Sequence, residues 1–177
     1  MVKEGFDPEV LRLAERPSQR FFASVTNLMT GALIGLLALH TLGVKNVPGF
    51  YYFAEFPDQI AALIGLVIGL FGLSICFIAQ KAMGAAWRVG IDREAATELV
   101  DRGLFAYCRN PTYLGLFLVC IATLWIFPTM AFLLWVVLFL FMLEFQVRLE
   151  EEHLLERHGE VYRDYSRRVK RYIPGVY

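Results

Sequence analysis

Four long apolar stretches, at about 21–42, 60–80, 112–127 and 129–147, alternate with polar segments of very unequal length along the chain. The first two have the roughly twenty residues that a helix needs to cross a bilayer core. The last two are shorter and are divided by Pro128, whose fixed φ and missing N–H suit a turn between helices. Phe127-Pro128-Thr129 is therefore predicted as the top of a helical hairpin. Gly31, Gly35, Gly65, Gly69 and Gly72 recur at helical spacing in the first two stretches, where small residues let membrane helices pack closely. Ahead of the first stretch, Asp7-Pro8 reads as an N-cap and first helical position. A short amphipathic helix should follow through Val10, Leu13 and Ala14, stop before Pro17 and lie on the membrane surface. Residues 1–20 are charged and lack a short apolar core with a cleavage site, so they do not read as a signal peptide.

Composition agrees with this pattern. Of 177 residues, 57% are hydrophobic and only 19% charged, too apolar for a soluble domain of this length. The expected fold is an all-α integral membrane protein with about four transmembrane helices. It reads as one domain, 1–177, made of a cytoplasmic lead (1–20), two spans (21–80) and a catalytic half (81–177). Lys plus Arg equal Asp plus Glu at 17 each, so net charge implies no nucleic-acid partner, and the placement of the cations is what informs. With an even number of spans, 16 of the 17 fall on one side and only Lys45 on the other. The positive-inside rule makes the crowded side, with both termini, cytoplasmic. The loop at 43–59, carrying Phe50, Tyr51, Tyr52, Phe53 and Phe56, then forms an outer interfacial belt. Cys76, Cys108 and Cys120 have no metal-like spacing and read as packing residues, and His40 stands alone in an apolar run, so no metal site is expected.

Candidate chemistry gathers on the crowded side, in the loop from about 81 to 111 and the tail from about 146 to 177. Pro111, one residue into a helix start, leaves N–H groups there available to a ligand. Gln146, Arg148, Glu150 and Glu151 continue the fourth helix beyond the membrane. Three consecutive glutamates, Glu150 to Glu152, are costly to bury together, which points to a cationic or hydroxyl-bearing ligand; a solvated helix face fits the same spacing. Trp87 and Arg88 suit an interfacial anchor or the edge of the site. Tyr162 and Tyr165, with Arg163, Arg167, Arg168, Lys170 and Arg171, could cap a pocket or lie on anionic lipid.

Three blocks, read together, carry a resemblance. They are Glu98-Leu99-Val100 with Gly103-Leu104-Phe105; Arg109-Asn110-Pro111-Thr112-Tyr113-Leu114-Gly115; and Glu150-Glu151 followed by Leu154, His158-Gly159, Tyr162, Tyr165, Val169, Arg171 and Pro174. Over roughly residues 87–174 the chain resembles the isoprenylcysteine carboxyl methyltransferase family and its phospholipid N-methyltransferase relatives. That resemblance implies S-adenosylmethionine in a cytoplasm-facing pocket. Leu99 and Val100 would flank the cofactor, Asn110, Pro111 and Tyr113 would line its pocket, and Glu150 and Glu151 would bind its polar groups, while Arg109 or Arg148 would hold the cofactor's carboxylate or the acceptor's. Arg148 and Glu151 are the implied catalytic residues, Arg148 for an acceptor carboxylate and Glu151 as a base where the acceptor is an amine. Two positions depart from the family: Asn110 stands where His is frequent, and Gln146 where eukaryotic members place the Arg that reads the substrate carboxylate, a role Arg148 would take over. The implied reaction is methyl transfer to a lipid-like or prenylated acceptor entering from the bilayer, first of all carboxyl O-methylation of an isoprenylcysteine-like substrate. Phospholipid or small-amine N-methylation, an NADPH-dependent sterol-type reductase and a non-enzymatic membrane subunit are the alternatives.

Overall fold

The computed structural model describes residues 17–44, 50–52, 58–84 and 99–173. The amphipathic lead through Val10, most of the loop around Trp87, Arg88 and Glu98, Phe53 and Phe56 of the aromatic belt, and Pro174 lie outside the described residues. The described elements are α1 (Pro17–Thr41), α2 (Asp58–Met83), a 3-10 turn (Gly103–Ala106), α3 (Pro111–Ile126), α4 (Met130–His158) and α5 (Glu160–Arg168). Among the described residues there is no strand, only two isolated β-bridges.

Three helices are long and apolar enough to cross a membrane: Phe21–Thr41, Gln59–Met83 and Met130–His158. The fold is thus all-helical, with multi-pass membrane character. The fourth apolar stretch forms α3, which at 16 residues reaches only ~24 Å at ~1.5 Å per residue, short of a bilayer core of ~30 Å. α4 has the opposite surplus. It runs for 29 residues, apolar up to Val147 apart from Glu144 and Gln146, and mostly charged or polar from Arg148 onward.

α2 and α3 pack along their length because glycine lets their backbones touch. A Cβ built on Gly72 would lie 2.6 Å from the Gly115 carbonyl oxygen, and one on Gly115 would lie 2.5 Å from that of Gly72 and from Cys76 Sγ. Gly65 is similarly closed by Ile126 and Ala122, whereas Gly31 and Gly35 have nothing within 4 Å. The packing expected of all five glycines therefore holds on α2 and not on α1. What joins α1 to α4 instead is the Trp135 indole, which donates to the Met29 carbonyl at 2.8 Å within a core of Met29, Cys120, Trp135 and Val136.

The two ends of this bundle are tied differently. At one, Phe127-Pro128 makes the expected turn, Thr129 caps α4 by accepting from the Phe132 N–H, and the Phe127 and Phe132 rings stack 4.7 Å apart. The first loop meets this tip, where the Met130 N–H donates to the Tyr51 carbonyl at 3.1 Å. At the other end, Gly159 at φ 55° ends α4 and turns the chain into α5. The segment after α5 then runs alongside residues 108–110: Arg109 N–H donates to Lys170 O at 2.9 Å and Asn110 N–H to Arg171 O at 3.2 Å.

Candidate functional site

Asn110 is the N-cap of α3 and Pro111 its first residue, so proline's missing N–H falls where a helix has none to bond. Tyr113 follows within the first turn. Glu150 and Glu151 stand in the polar part of α4, and the hairpin topology returns that part to the start of α3. The two motifs meet there. Tyr113 donates its hydroxyl to Glu150 Oε2 at 2.8 Å, and the Asn110 amide donates to Glu151 Oε1 at 3.0 Å. Gln146, one turn before Glu150 and buried, also hydrogen-bonds Tyr113.

Glu151 is the hub. Its Oε1 also accepts from Arg109, with Nε at 3.2 Å and Nη2 at 3.1 Å, while its Oε2 takes Arg171 through Nη2 at 2.7 Å and Nε at 3.1 Å. Arg109 is held in turn by the carbonyls of Ser166 at 2.7 Å and Val169 at 3.3 Å. These contacts decide the ionisation of the adjacent glutamates. Burial works to raise Glu151, but the Arg171 hydrogen bond and the charges of Arg109 and Arg171 outweigh it and hold the carboxyl below its ordinary value. Glu150 has no guanidinium beside it in this network. Burial raises its carboxyl, with a further push from the Glu151 charge and partial relief from the Tyr113 hydroxyl.

Around this cup, Tyr162, Tyr165 and Val169 form a buried cluster on which Leu99 and Leu154 pack. The Tyr165 hydroxyl donates to Phe105 O at 2.7 Å, anchoring α5 to the 3-10 turn. Burial raises both tyrosines above their usual range, so the hydroxyl that Tyr165 donates is neutral. Cys108, whose thiol burial likewise pushes up, donates to Arg171 O at 3.3 Å and so takes the packing role expected of it.

The structure thus brings together Arg109, Asn110, Pro111, Tyr113, Glu150 and Glu151, with Leu99 on the neighbouring tyrosine cluster and Val100 half-buried next to it in sequence. It does not bring Arg148 into the cup. That side chain is 60% exposed and pairs with Glu144 at 2.9 Å, one turn back along α4. Glu152 points outward as well. Sequence reasoning missed Glu144 and Tyr172, and left Arg171 between capping a pocket and lying on lipid, where the structure turns it onto Glu151. Glu144 accepts from Tyr172 at 2.5 Å and from Arg171 at 3.3 Å, besides Arg148. A signal for it existed, since Glu144 is the only charged residue in the stretch 129–147, where an ionisable group is rarely idle. No group of His, Cys, Asp or Glu suited to a metal occurs among the described residues.

Two comparisons bear on this arrangement. The sequence pattern of the isoprenylcysteine carboxyl methyltransferase family matches residues 63–156, just over half of the chain. A curated relative, the protein-S-isoprenylcysteine O-methyltransferase of Dictyostelium discoideum, is 24% identical over 133 residues, which cover 72% of this chain and 55% of that protein. The chain therefore spans about half the length of the relative it matches. The family match takes in Asn110, Tyr113, Glu150 and Glu151 and stops before Arg171 and Tyr172.

Proposed function

The chain belongs to the isoprenylcysteine carboxyl methyltransferase family, and on that premise we propose that it transfers the methyl group of S-adenosylmethionine to the carboxylate of a lipophilic, isoprenylcysteine-like acceptor. The observation that carries the reading is the closure of two distant motifs into one polar cup at the end of the apolar hairpin, through Asn110–Glu151 and Tyr113–Glu150.

The residues present suit the cofactor. Glu150 accepts from Tyr113 and, as a carboxylate, retains acceptor capacity for an ammonium or ribose hydroxyl. Thr112 Oγ1, two residues on from Asn110, is buried without a hydrogen-bond partner among the described residues, an orphaned polar atom of the kind that a polar ligand satisfies. When bound, the sulfonium would supply an electrophilic methyl whose positive charge vanishes on transfer, a reaction favoured by alignment and by a water-poor cavity. Asn110 and Glu151 would fix the cup's floor, Glu150 would take a cationic or hydroxyl group, and Arg109 would face an anionic one. An acceptor carboxylate is already ionised at neutral pH, so no residue has to remove a proton. The acceptor would reach the cup laterally from the bilayer, since its hydrocarbon loses favourable solvation in water. In this reading residues 1–177 form one domain, α3 and α4 enter the membrane as a hairpin that completes four passages, and both termini face the cytosol.

Membranes containing the protein, incubated with methyl-labelled donor and an S-prenylated N-acetylcysteine, should yield label that alkali releases as methanol. Alkali-stable label would reject carboxyl methylation in favour of an amine or thioether product. In calorimetric titration, S-adenosylhomocysteine should bind the intact protein and lose at least about tenfold in affinity in Glu150→Gln, the scale set by one charged hydrogen bond. Unchanged binding would remove Glu150 from the cofactor site.

A further inference from the structure

The segment after α5 does more than complete the cup. Arg171 and Tyr172 are consecutive and share Glu144, yet they point to different levels. Arg171 bridges Glu144 and Glu151, while Tyr172 reaches toward the membrane, its ring meeting Phe117 of α3 edge-on at 4.8 Å and its hydroxyl donating to Glu144 Oε2 of α4. Tyr172 is buried, and burial together with the Glu144 hydrogen bond keeps its hydroxyl protonated, hence a donor. α3 and α4 touch far less than α2 and α3 do, and beside the direct bonds of Tyr113 to Glu150 and Gln146 the Tyr172 side chain adds a bridge from the tail between the two arms of the hairpin.

We propose that Tyr172 is a specificity-determining residue at the lateral opening between α3 and α4, where its ring and its bond to Glu144 close the path of the acceptor's hydrocarbon chain into the cup. The proposal rests on the methyltransferase reading for the nature of the acceptor. Its physical logic is local. Swinging the Tyr172 ring breaks at least two contacts among the described residues, the Glu144 hydrogen bond and the Phe117 edge, while two backbone bonds hold the segment itself to residues 109–110. Opening therefore needs a rotamer change and leaves the tail, and Arg171 on Glu151, in place.

The test uses the full chain in nanodiscs, as wild type, Tyr172→Ala and Tyr172→Phe. A diazirine-bearing S-prenyl thioether reads access, through photolabelling of the peptide that contains Phe117. Labelling should rise by about tenfold in Tyr172→Ala, the scale on which losing a hydrogen bond to a charged group shifts an open–closed equilibrium. Tyr172→Phe, which keeps the ring on Phe117 and loses the hydroxyl, should fall between. The KM values for S-geranyl- and S-geranylgeranyl-N-acetylcysteine should converge in Tyr172→Ala, with S-adenosylhomocysteine affinity held within about twofold because Arg171 keeps its own bonds to Glu144 and Glu151. Equal labelling in all three proteins overturns the gate, and so does a fall in S-adenosylhomocysteine affinity that parallels the change in KM, which marks collapse of the tail. If the wild type binds S-adenosylhomocysteine but methylates neither acceptor, the prenylcysteine reading fails, and the labelling ratio still decides the gate.

Discussion

Glu150 and Glu151 are neighbours in sequence, but about 100° of helix rotation sends their side chains into unlike surroundings. One meets a phenol and the other two guanidiniums. The signs of their contributions to stability differ accordingly. Glu151 has a depressed folded value, so it stabilises the protein above the ordinary carboxylate value of 4.5, and that contribution is lost as pH falls through the lower folded value. Glu150 has a raised folded value, so its charge destabilises, and the penalty grows as pH rises from 4.5 through the folded value. At neutral pH, Glu151→Gln should lower stability by about 3 kcal/mol, the low end of what breaking a buried ion pair costs, because these side chains retain 12–19% exposure. Glu150→Gln keeps an acceptor for Tyr113 and should leave the melting temperature unchanged or raise it. Melting curves in detergent at neutral pH and near pH 4 provide the check: both differences should shrink on acidification. A Glu150→Gln variant that melts as low as Glu151→Gln would contradict the assigned environments.

At the scale of elements, the apolar stretches were legible almost to their ends, because a lipid-facing helix must be apolar nearly all round and its ends are marked by charge and proline. The stretch 112–127 becomes Pro111–Ile126, and 60–80 becomes Asp58–Met83. Glycine function was less legible. Spacing is alike on α1 and α2, but only a neighbouring backbone turns it into packing, and nothing local to residues 21–42 says which helix lies beside them. Gly72→Ala and Gly115→Ala should each destabilise by about 1–3 kcal/mol, the usual penalty for overpacking, since the new methyl meets a backbone carbonyl that cannot rotate away. Gly35→Ala, in open space on a helix, should be neutral or stabilising by about 0.5–1 kcal/mol through backbone entropy. Thermal unfolding of the three variants in detergent separates these cases. A Gly35→Ala protein as damaged as Gly72→Ala would mean that α1 packs where the structure leaves it open.

For the whole molecule, the legible part of the site followed from topology: a hairpin of two apolar helices returns its polar ends to one face, which puts Asn110 near Glu150 and Glu151 wherever the rest of the chain goes. The placement of Arg171 and Tyr172 had no such constraint, because a tail after α5 can lie in many directions and only the backbone bonds to residues 109–110 fix it. The same topology makes orientation testable. Exposed Tyr51 adjoins the hairpin tip, and exposed Arg167 lies in α5 near the cup, at the opposite end of the bundle. The three native cysteines are all buried, so a new surface thiol should dominate labelling. The topology expected from the sequence, with an even number of spans and 16 of the 17 cations on one side, predicts that a membrane-impermeant maleimide added to intact cells labels Tyr51→Cys. Arg167→Cys should label only after the membrane is permeabilised. The reverse pattern would put the cup outside the cell, away from a cytosolic methyl donor, and would overturn the proposed orientation while leaving the helical fold intact.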